Sequence, residues 1–164
     1  MGWITVHVAT SSTPRKVELG TIGAVTAMGL LFDQPQAIGG VQSFDPDHAR
    51  IGSVPVWIAV LWAAFAATFH TSFSWLQGRY VLASVFGAIF GPLAYLGGES
   101  LGALQIGIQS RELGLVALSL EWALALPLGL WIAETVRQRA SEPPSSANSQ
   151  ASSYDWPDSP DEGQ

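Results

Sequence analysis

Residues 54–76 read VPVWIAVLWAAFAATFHTSFSWL and residues 80–98 read YVLASVFGAIFGPLAYLGG, with only three residues between these two apolar runs. Neither run contains Asp, Glu, Lys or Arg. A membrane-spanning helix needs about 20 apolar residues. Trp57 and Trp75 stand near the ends of the first run, where indole rings meet lipid headgroups. The two runs and their short link predict an antiparallel hairpin of two transmembrane helices.

Two further stretches are long enough to cross a bilayer. Residues 113–133 are apolar apart from Glu121, and residues 17–44 are mostly apolar until they reach Asp33 and Pro35. Proline removes a helix hydrogen bond and clashes with the preceding turn, so we expect a helix that is kinked or broken at Pro35, or else a re-entrant segment. The predicted fold is therefore all-α, an integral membrane bundle of about four transmembrane helices.

Composition and charge divide the chain into two parts. It is 48% hydrophobic and 12% charged, whereas about 25% charged residues are typical of soluble domains. Residues 1–140 are predicted to form the transmembrane helical domain. Residues 141–164 hold five acidic side chains and no base, are rich in Ser and Pro, and are predicted to be a disordered acidic tail. The absence of cysteine excludes disulfides and thiolate sites, and the absence of a basic patch argues against a nucleic-acid partner.

The basic residues predict an orientation. If the chain crosses the membrane four times, five of its seven basic residues fall on one side, namely Arg15, Lys16, Arg79, Arg137 and Arg139. Arg50 and Arg111 fall on the other side. Because cytoplasmic loops carry the excess of Lys and Arg, we expect a bacterial inner-membrane protein with a cytoplasmic C-terminus.

Small residues recur at helical spacing and predict where helices pack closely. Lipid supplies no hydrophobic force between helices, so backbones approach through small side chains. Ala63 and Ala67 mark such a ridge on the second span, and Gly87 and Gly91, followed by Pro92, mark one on the third. Since the connecting link is short, we expect these two ridges to face each other.

Four polar residues fall inside or near the spans: Asp33, His70, Glu99 and Glu121. A carboxyl group as deep as that of Glu121 must be protonated, paired or facing a wet cavity. His70 is interpreted first as a packing histidine that forms hydrogen bonds, and second as a proton-exchanging or ligand-binding group. The four residues form a candidate intramembrane polar site. Their spacing in the sequence does not place them next to one another in space.

Residues 61–104 resemble a bacterial inner-membrane family catalogued as domain of unknown function 2878. The similarity lies in Ala67 to Ser72, in the Gly91-Pro92-Leu93-Ala94-Tyr95 segment and in Leu101-Gly102-Ala103, and it extends more weakly over residues 6–127. The family has a further helix before residues 6–9, so the resemblance implies five helices with the first one truncated here. It also implies a compact helical membrane protein linked to lipid modification or envelope stress.

Three functional classes are compatible with these features. We favour a non-enzymatic accessory or scaffold protein, whose partners would be the lipid bilayer and a membrane protein or a second copy. The alternative is a small proton-coupled carrier that uses Glu121 and His70. A lipid-modifying enzyme ranks third. A metal hydrolase would need clustered histidines, and the chain has only three, far apart in sequence. A serine hydrolase would need a GxSxG motif, and the chain has none. We therefore predict no catalytic residue, no metal site and no cofactor.

Overall fold

The computed structural model describes residues 13–107 and 110–141, which are mostly helical. The described elements, in chain order, are α1 (Arg15–Ile38), β1 (Gln42–Ser43), β2 (Arg50–Ile51), β3 (Val54–Pro55), α2 (Val56–Ala66), a 3-10 turn (Ser74–Leu76), α3 (Tyr80–Ser100), β4 (Gln105–Ile106) and α4 (Arg111–Ser141). The tail that was predicted to be disordered over residues 141–164 lies outside the described residues, except for Ser141 at the end of α4. The prediction of a truncated first helix also falls on residues outside the described ones.

Each helix buries one narrow stripe of residues spaced three or four apart. On α3 this stripe is Ala83, Gly87, Gly91 and Tyr95, and on α4 it runs from Gly114 to Ala133. This spacing matches the period of an α-helix, so each stripe lies along one side of its helix. Many of the other large apolar side chains of α3 and α4 are exposed, among them Val81, Phe90, Leu113 and Leu120.

The first helix is not broken at Pro35. α1 continues to Ile38 with Pro35 in its last turn, and the Gly39 N–H closes that turn on the Pro35 carbonyl oxygen at 2.8 Å. A proline this close to the end removes a hydrogen bond from only the final turns of the helix. The chain then leaves α1 and enters β1 at Gln42.

The second predicted span is much shorter than expected as a helix. α2 contains 11 residues instead of the 23 predicted, and it ends at Ala66. The hydroxyl groups of Thr68, Thr71 and Ser74 each donate to a carbonyl oxygen three residues earlier. These bonds favour tight turns over a continued α-helix, and the backbone follows them with three-residue turns as far as Leu76.

The small-residue ridge of α3 faces α4. The expectation that it faces the ridge of Ala63 and Ala67 is wrong. A Cβ atom built at Gly87 or Gly91 would overlap Trp122 of α4. The most extensive helix contacts are between α3 and α4, followed by those of α1 with α2 and with α4. A wide indole on α4 occupies the space that the glycines leave, and α2 packs on α1 instead.

The helices place the two groups of basic residues at opposite ends of the bundle. At one end the start of α1 meets the end of α4, where Gly20 faces Val136, and the Tyr80 hydroxyl donates to Glu134 at 2.8 Å. At the other end β1 pairs with β4 and β2 pairs with β3, both antiparallel. The β1–β4 pair ties the loop after α1 to the loop before α4.

Two of the four helices in the described part of the chain, α3 and α4, are long and apolar enough to cross a membrane. α2 is apolar but too short to do so, and α1 falls short in hydropathy. The all-helical prediction is thus confirmed, apart from the four short strands, and the prediction of four spans is supported for two helices.

Candidate functional site

Asp33 lies fully buried near the end of α1 and accepts three side-chain hydrogen bonds. Its Oδ1 atom accepts from the Tyr95 hydroxyl at 2.7 Å and from Gln42 Nε2 at 2.8 Å, and its Oδ2 atom accepts from Trp62 Nε1 at 2.6 Å. An ionised carboxylate can only accept hydrogen bonds, so three donors meet its requirement inside the protein. Four elements, α1, β1, α2 and α3, converge on this one side chain.

The position of Trp62 depends on a glycine one turn before Asp33. A Cβ atom at Gly29 would overlap the Trp62 ring, so the ring can lie against α1 only because residue 29 has no side chain. Gly29 and Asp33 are four residues apart and therefore lie on the same side of the helix. The glycine thereby allows the indole N–H of Trp62 to reach the carboxylate.

Glu121 is the second buried acid of this region. Its side chain is 6% exposed, and among the described residues neither of its carboxyl oxygens has a hydrogen-bond donor. The charge of Asp33 acts on it. A bare carboxylate in such surroundings is costly, and a proton or a cation removes that cost. We refer to Asp33 and Glu121 together as the acid pair.

Stacked indoles join the two acids. The Trp62 ring lies parallel to the ring of Trp122, with 4.9 Å between centroids and an interplanar angle of 7°. Trp62 donates to Asp33, and Trp122 follows Glu121 directly on α4. The indole that donates to Asp33 is thus stacked on the indole of the residue that follows Glu121 on α4.

An apolar groove opens between α2 and α3, because these two helices do not pack on each other. It consists of two cavities of about 410 and 400 Å³ that share Phe65, Ala94 and Trp122. The larger cavity is further lined by Trp57, Trp62, Tyr95 and Leu104, and the smaller one by Phe73, Phe86 and Phe90. We call the two cavities together the lateral groove. Trp62 and Tyr95 carry the polar atoms that bind Asp33, and their rings line the larger cavity.

His70 lies in the turns after α2, at a different level of the bundle. Its Nε2 atom is 2.9 Å from the Thr21 hydroxyl, and the charges of Arg137 and Glu18 act on it. Thr21 precedes Asp33 by 12 residues on α1, about 18 Å along the helix axis. His70 and the acid pair are thus separate groups.

Glu99 has a role at the surface end of the bundle. Its Oε2 atom is 2.8 Å from Arg111 Nη2, and its Oε1 atom accepts from the Ile106 N–H at 3.1 Å. The side chain therefore fixes the loop between α3 and α4. Of the four candidate polar residues, the structure brings together Asp33 and Glu121 and places His70 and Glu99 elsewhere.

Three residues of this site were not singled out from the sequence, namely Gln42, Trp62 and Tyr95. Trp62 and Tyr95 lie inside apolar runs, where an aromatic ring with a polar atom is the only signal of a hydrogen bond to a buried acid. Gln42 gives no local signal, because its contact with Asp33 depends on the loop that returns after α1. Within residues 13–107 and 110–141, no group of three or more His, Cys, Asp or Glu side chains could hold a metal ion.

A family model with the description "Protein of unknown function (DUF2878)" matches residues 1–128. This match confirms the family resemblance derived from residues 61–104. No curated protein and no solved structure matches the chain.

Proposed function

The chain belongs to the family of proteins of unknown function DUF2878, and we propose that it is a multi-pass membrane protein that binds an amphiphile without transforming it. In this proposal the lateral groove receives the hydrocarbon part of the amphiphile. The chain acts as an accessory protein that presents or sequesters this ligand for a membrane-protein partner or within a homo-oligomer. The proposed location is the bacterial inner membrane, with the C-terminus in the cytoplasm.

The outward surfaces of α3 and α4 support insertion into a membrane. Large apolar side chains stand exposed along both helices, among them Val81 at 82%, Leu113 at 70% and Leu120 at 64%. Soluble monomers rarely expose a continuous apolar surface of this kind. The separation of five basic residues from two at opposite ends of the bundle supports the orientation.

The observation that carries the proposal is the shape and lining of the lateral groove. Its larger cavity, about 410 Å³, has the size of ordinary ligand pockets, which hold roughly 300 to 1,000 Å³. The surface that lines the groove is almost wholly apolar, and its rim includes the exposed residues Leu61 and Ala94. A groove that is apolar and open at its side suits a hydrocarbon tail that enters from the surrounding lipid.

Ala94 provides a direct test, because it is exposed in the groove and lines both cavities. We expect Ala94→Trp to fill the junction of the cavities and to exclude the ligand. Leu93→Trp is the matched control, since Leu93 is an exposed neighbour that lines neither cavity. Native mass spectrometry of the full chain in mild detergent should show one retained amphiphile on the wild type and on Leu93→Trp, and none on Ala94→Trp. A bare wild-type chain, or equal retention by both variants, would contradict the proposal.

A second candidate is the proton-coupled carrier, and the unpaired carboxyl group of Glu121 favours it. Because His70 bonds to Thr21 at another level of the bundle, such a carrier would use Glu121 with Asp33. Ligand binding would then release protons, which titration in weakly buffered detergent solution measures. Unchanged proton release in Glu121→Gln would dismiss this candidate.

A further inference from the structure

A further cavity, of about 640 Å³, lies beside the lateral groove where α3 ends and α4 begins. It shares Leu104 with the larger cavity of the groove. Among the described residues that line it, the charged ones are Glu99 and Arg111, whereas no charged residue lines the larger cavity of the groove. We call this cavity the polar cavity. The apolar groove thus has a cavity with one acid and one base next to its end.

The lateral groove has the length of one lipid tail. Gly98 lines its larger cavity and Phe86 lines its smaller one, and Phe86 precedes Gly98 by 12 residues on α3, about 18 Å along the helix axis. The hydrocarbon core of a bilayer is about 30 Å thick, so the tails of one leaflet reach a depth of about 15 Å. The groove therefore matches one leaflet in length.

The charged side chains stand at the depth where lipid head groups lie. Glu99 belongs to the last turn of α3, and Arg111 is the first residue of α4. These two helices are the ones long and apolar enough to cross a membrane, and the ends of such helices reach the head-group layer. A lipid with its tail in the lateral groove would bring its head group to the polar cavity.

Arg111 can bind an anion without losing its contact with Glu99. Its side chain is 59% exposed, and among the described residues its guanidinium pairs only with Glu99, with Nη2 at 2.8 Å from Oε2. A guanidinium has five N–H donors, and a phosphate is the kind of acceptor that binds several of them at once. The other N–H groups of Arg111 therefore remain for a phosphate.

Glu99 determines which net charge the head group carries. A lone anion on Arg111 would stand close to the Glu99 carboxylate, and like charges repel each other. A lone cation would compete with Arg111 and the Ile106 N–H, which already bind the two oxygens of Glu99. A head group with a phosphate and an amine offsets both side chains at once. Charge complementarity therefore favours a zwitterion.

We propose that the protein binds a zwitterionic phospholipid, with one tail in the lateral groove and the head group in the polar cavity beside Glu99 and Arg111. This inference rests on the amphiphile-binding function proposed above and names the head group of the ligand. Its test must therefore separate recognition of the head group from apolar filling of the groove.

Three lipids with the same oleoyl tails provide that separation. Dioleoyl phosphatidylethanolamine is a zwitterion, dioleoyl phosphatidylglycerol is an anion, and dioleoyl trimethylammonium propane is a cation. The full chain, freed of lipid by extensive exchange into mild detergent, receives an equimolar mixture, and native mass spectrometry measures which lipid it retains. We expect a preference for phosphatidylethanolamine of about tenfold over each of the others, the scale of one hydrogen bond to a charged group.

Glu99→Gln and Arg111→Gln should change this preference in opposite directions. Glu99→Gln removes the negative charge and keeps an oxygen for the Ile106 N–H, so phosphatidylglycerol should bind at least as well as phosphatidylethanolamine. Arg111→Gln removes the partner of the phosphate, so the trimethylammonium lipid should become the preferred one. Glu112→Gln is the matched control, because Glu112 is an exposed acid next to Arg111 that lines none of the three cavities. The unfolding temperature of each variant checks its fold, and either of the two variants tests the site by itself.

The outcomes distinguish the head-group site from the groove. Equal retention of the three lipids by the wild type, a wild-type preference for the anion or the cation, or a preference that the variants at Glu99 and Arg111 leave unchanged would overturn the head-group site. The amphiphile-binding function would then still stand if Ala94→Trp excludes every lipid. Retention of phosphatidylethanolamine by Ala94→Trp at the wild-type level would instead overturn the groove as the site of the tail.

Discussion

Gly87→Ala should destabilise the bundle although alanine favours helices, because α3 and α4 meet at this glycine backbone to backbone. The added Cβ atom would overlap the carbonyl oxygen of Trp122 and stand 2.7 Å from its carbonyl carbon and 3.3 Å from the Ala123 nitrogen. Carbon atoms in contact prefer about 3.5 to 4.0 Å, so the two helices must separate by roughly 1 Å. A side chain could rotate away, but a backbone within a helix cannot.

The expected magnitude follows from two opposing terms. Overpacking of a tight interface costs about 1 to 3 kcal/mol, and the absence of a flexible neighbour at Gly87 places this site at the upper end. Replacing glycine by alanine in a helix recovers about 1 kcal/mol. The net loss is therefore roughly 2 kcal/mol, which for a chain of this size lowers the unfolding temperature by about 4 to 8 °C.

Gly97→Ala is the matched control on the same helix. A Cβ atom at Gly97 has nothing within 4 Å, so only the helix preference acts and the variant should be stabilised by about 0.5 to 1 kcal/mol. Thermal unfolding in detergent, followed by the loss of the monodisperse peak in size-exclusion chromatography, measures both variants. If Gly87→Ala unfolds at or above the wild-type temperature, the close approach of α3 to α4 at this position is refuted. Equal destabilisation by the two substitutions would refute the role of Trp122.

Three further predictions concern the polar groups and the orientation. Asp33→Asn turns an amide N–H₂ toward one of the three donors and leaves that donor unpaired, so the unfolding temperature should reflect a loss of about 2 kcal/mol; a neutral result would mean that the donors find other acceptors. His70→Gln should keep the hydrogen bond to Thr21, whereas His70→Leu should cost about 1 kcal/mol in the same assay, and equal stabilities would show that this bond contributes nothing. A reporter fused after Arg139 should be active as a cytoplasmic fusion, and alkaline phosphatase activity at that point would reverse the proposed topology.

The sequence predicted individual helices better than their neighbours. The apolar runs and the four-residue spacing of small residues are local properties, so α3, α4 and the glycines at 87 and 91 were found. The partner of those glycines was not, because the short link at residues 77–79 suggested α2, while the fit of an indole into the space beside them selected α4. Which helix packs against a pair of glycines depends on the shapes of side chains across the whole bundle.

The same distinction holds for the candidate site. Asp33 and Glu121 stood out as charges in apolar runs, and their proximity depends on the arrangement of α1 against α4. Gln42 did not stand out, since an amide after a helix end is ordinary in sequence. Near His70, the hydroxyls of Thr68, Thr71 and Ser74 bond to their own backbone in the turns that follow the end of α2.

The donors to Asp33 come from both halves of the chain, which links the order of synthesis to the completion of the fold. Gln42 and Trp62 are made soon after Asp33, whereas Tyr95 belongs to α3 and emerges later. Chains acquire structure from the N-terminus as they are synthesised. Before α3 has been made, Asp33 therefore has only two of its three hydrogen-bond donors. A carboxylate that lacks donors costs free energy in an apolar environment, and Tyr95 lowers that cost by donating the third hydrogen bond. A chain interrupted before α3 therefore lacks one of the three donors that Asp33 has in the complete fold.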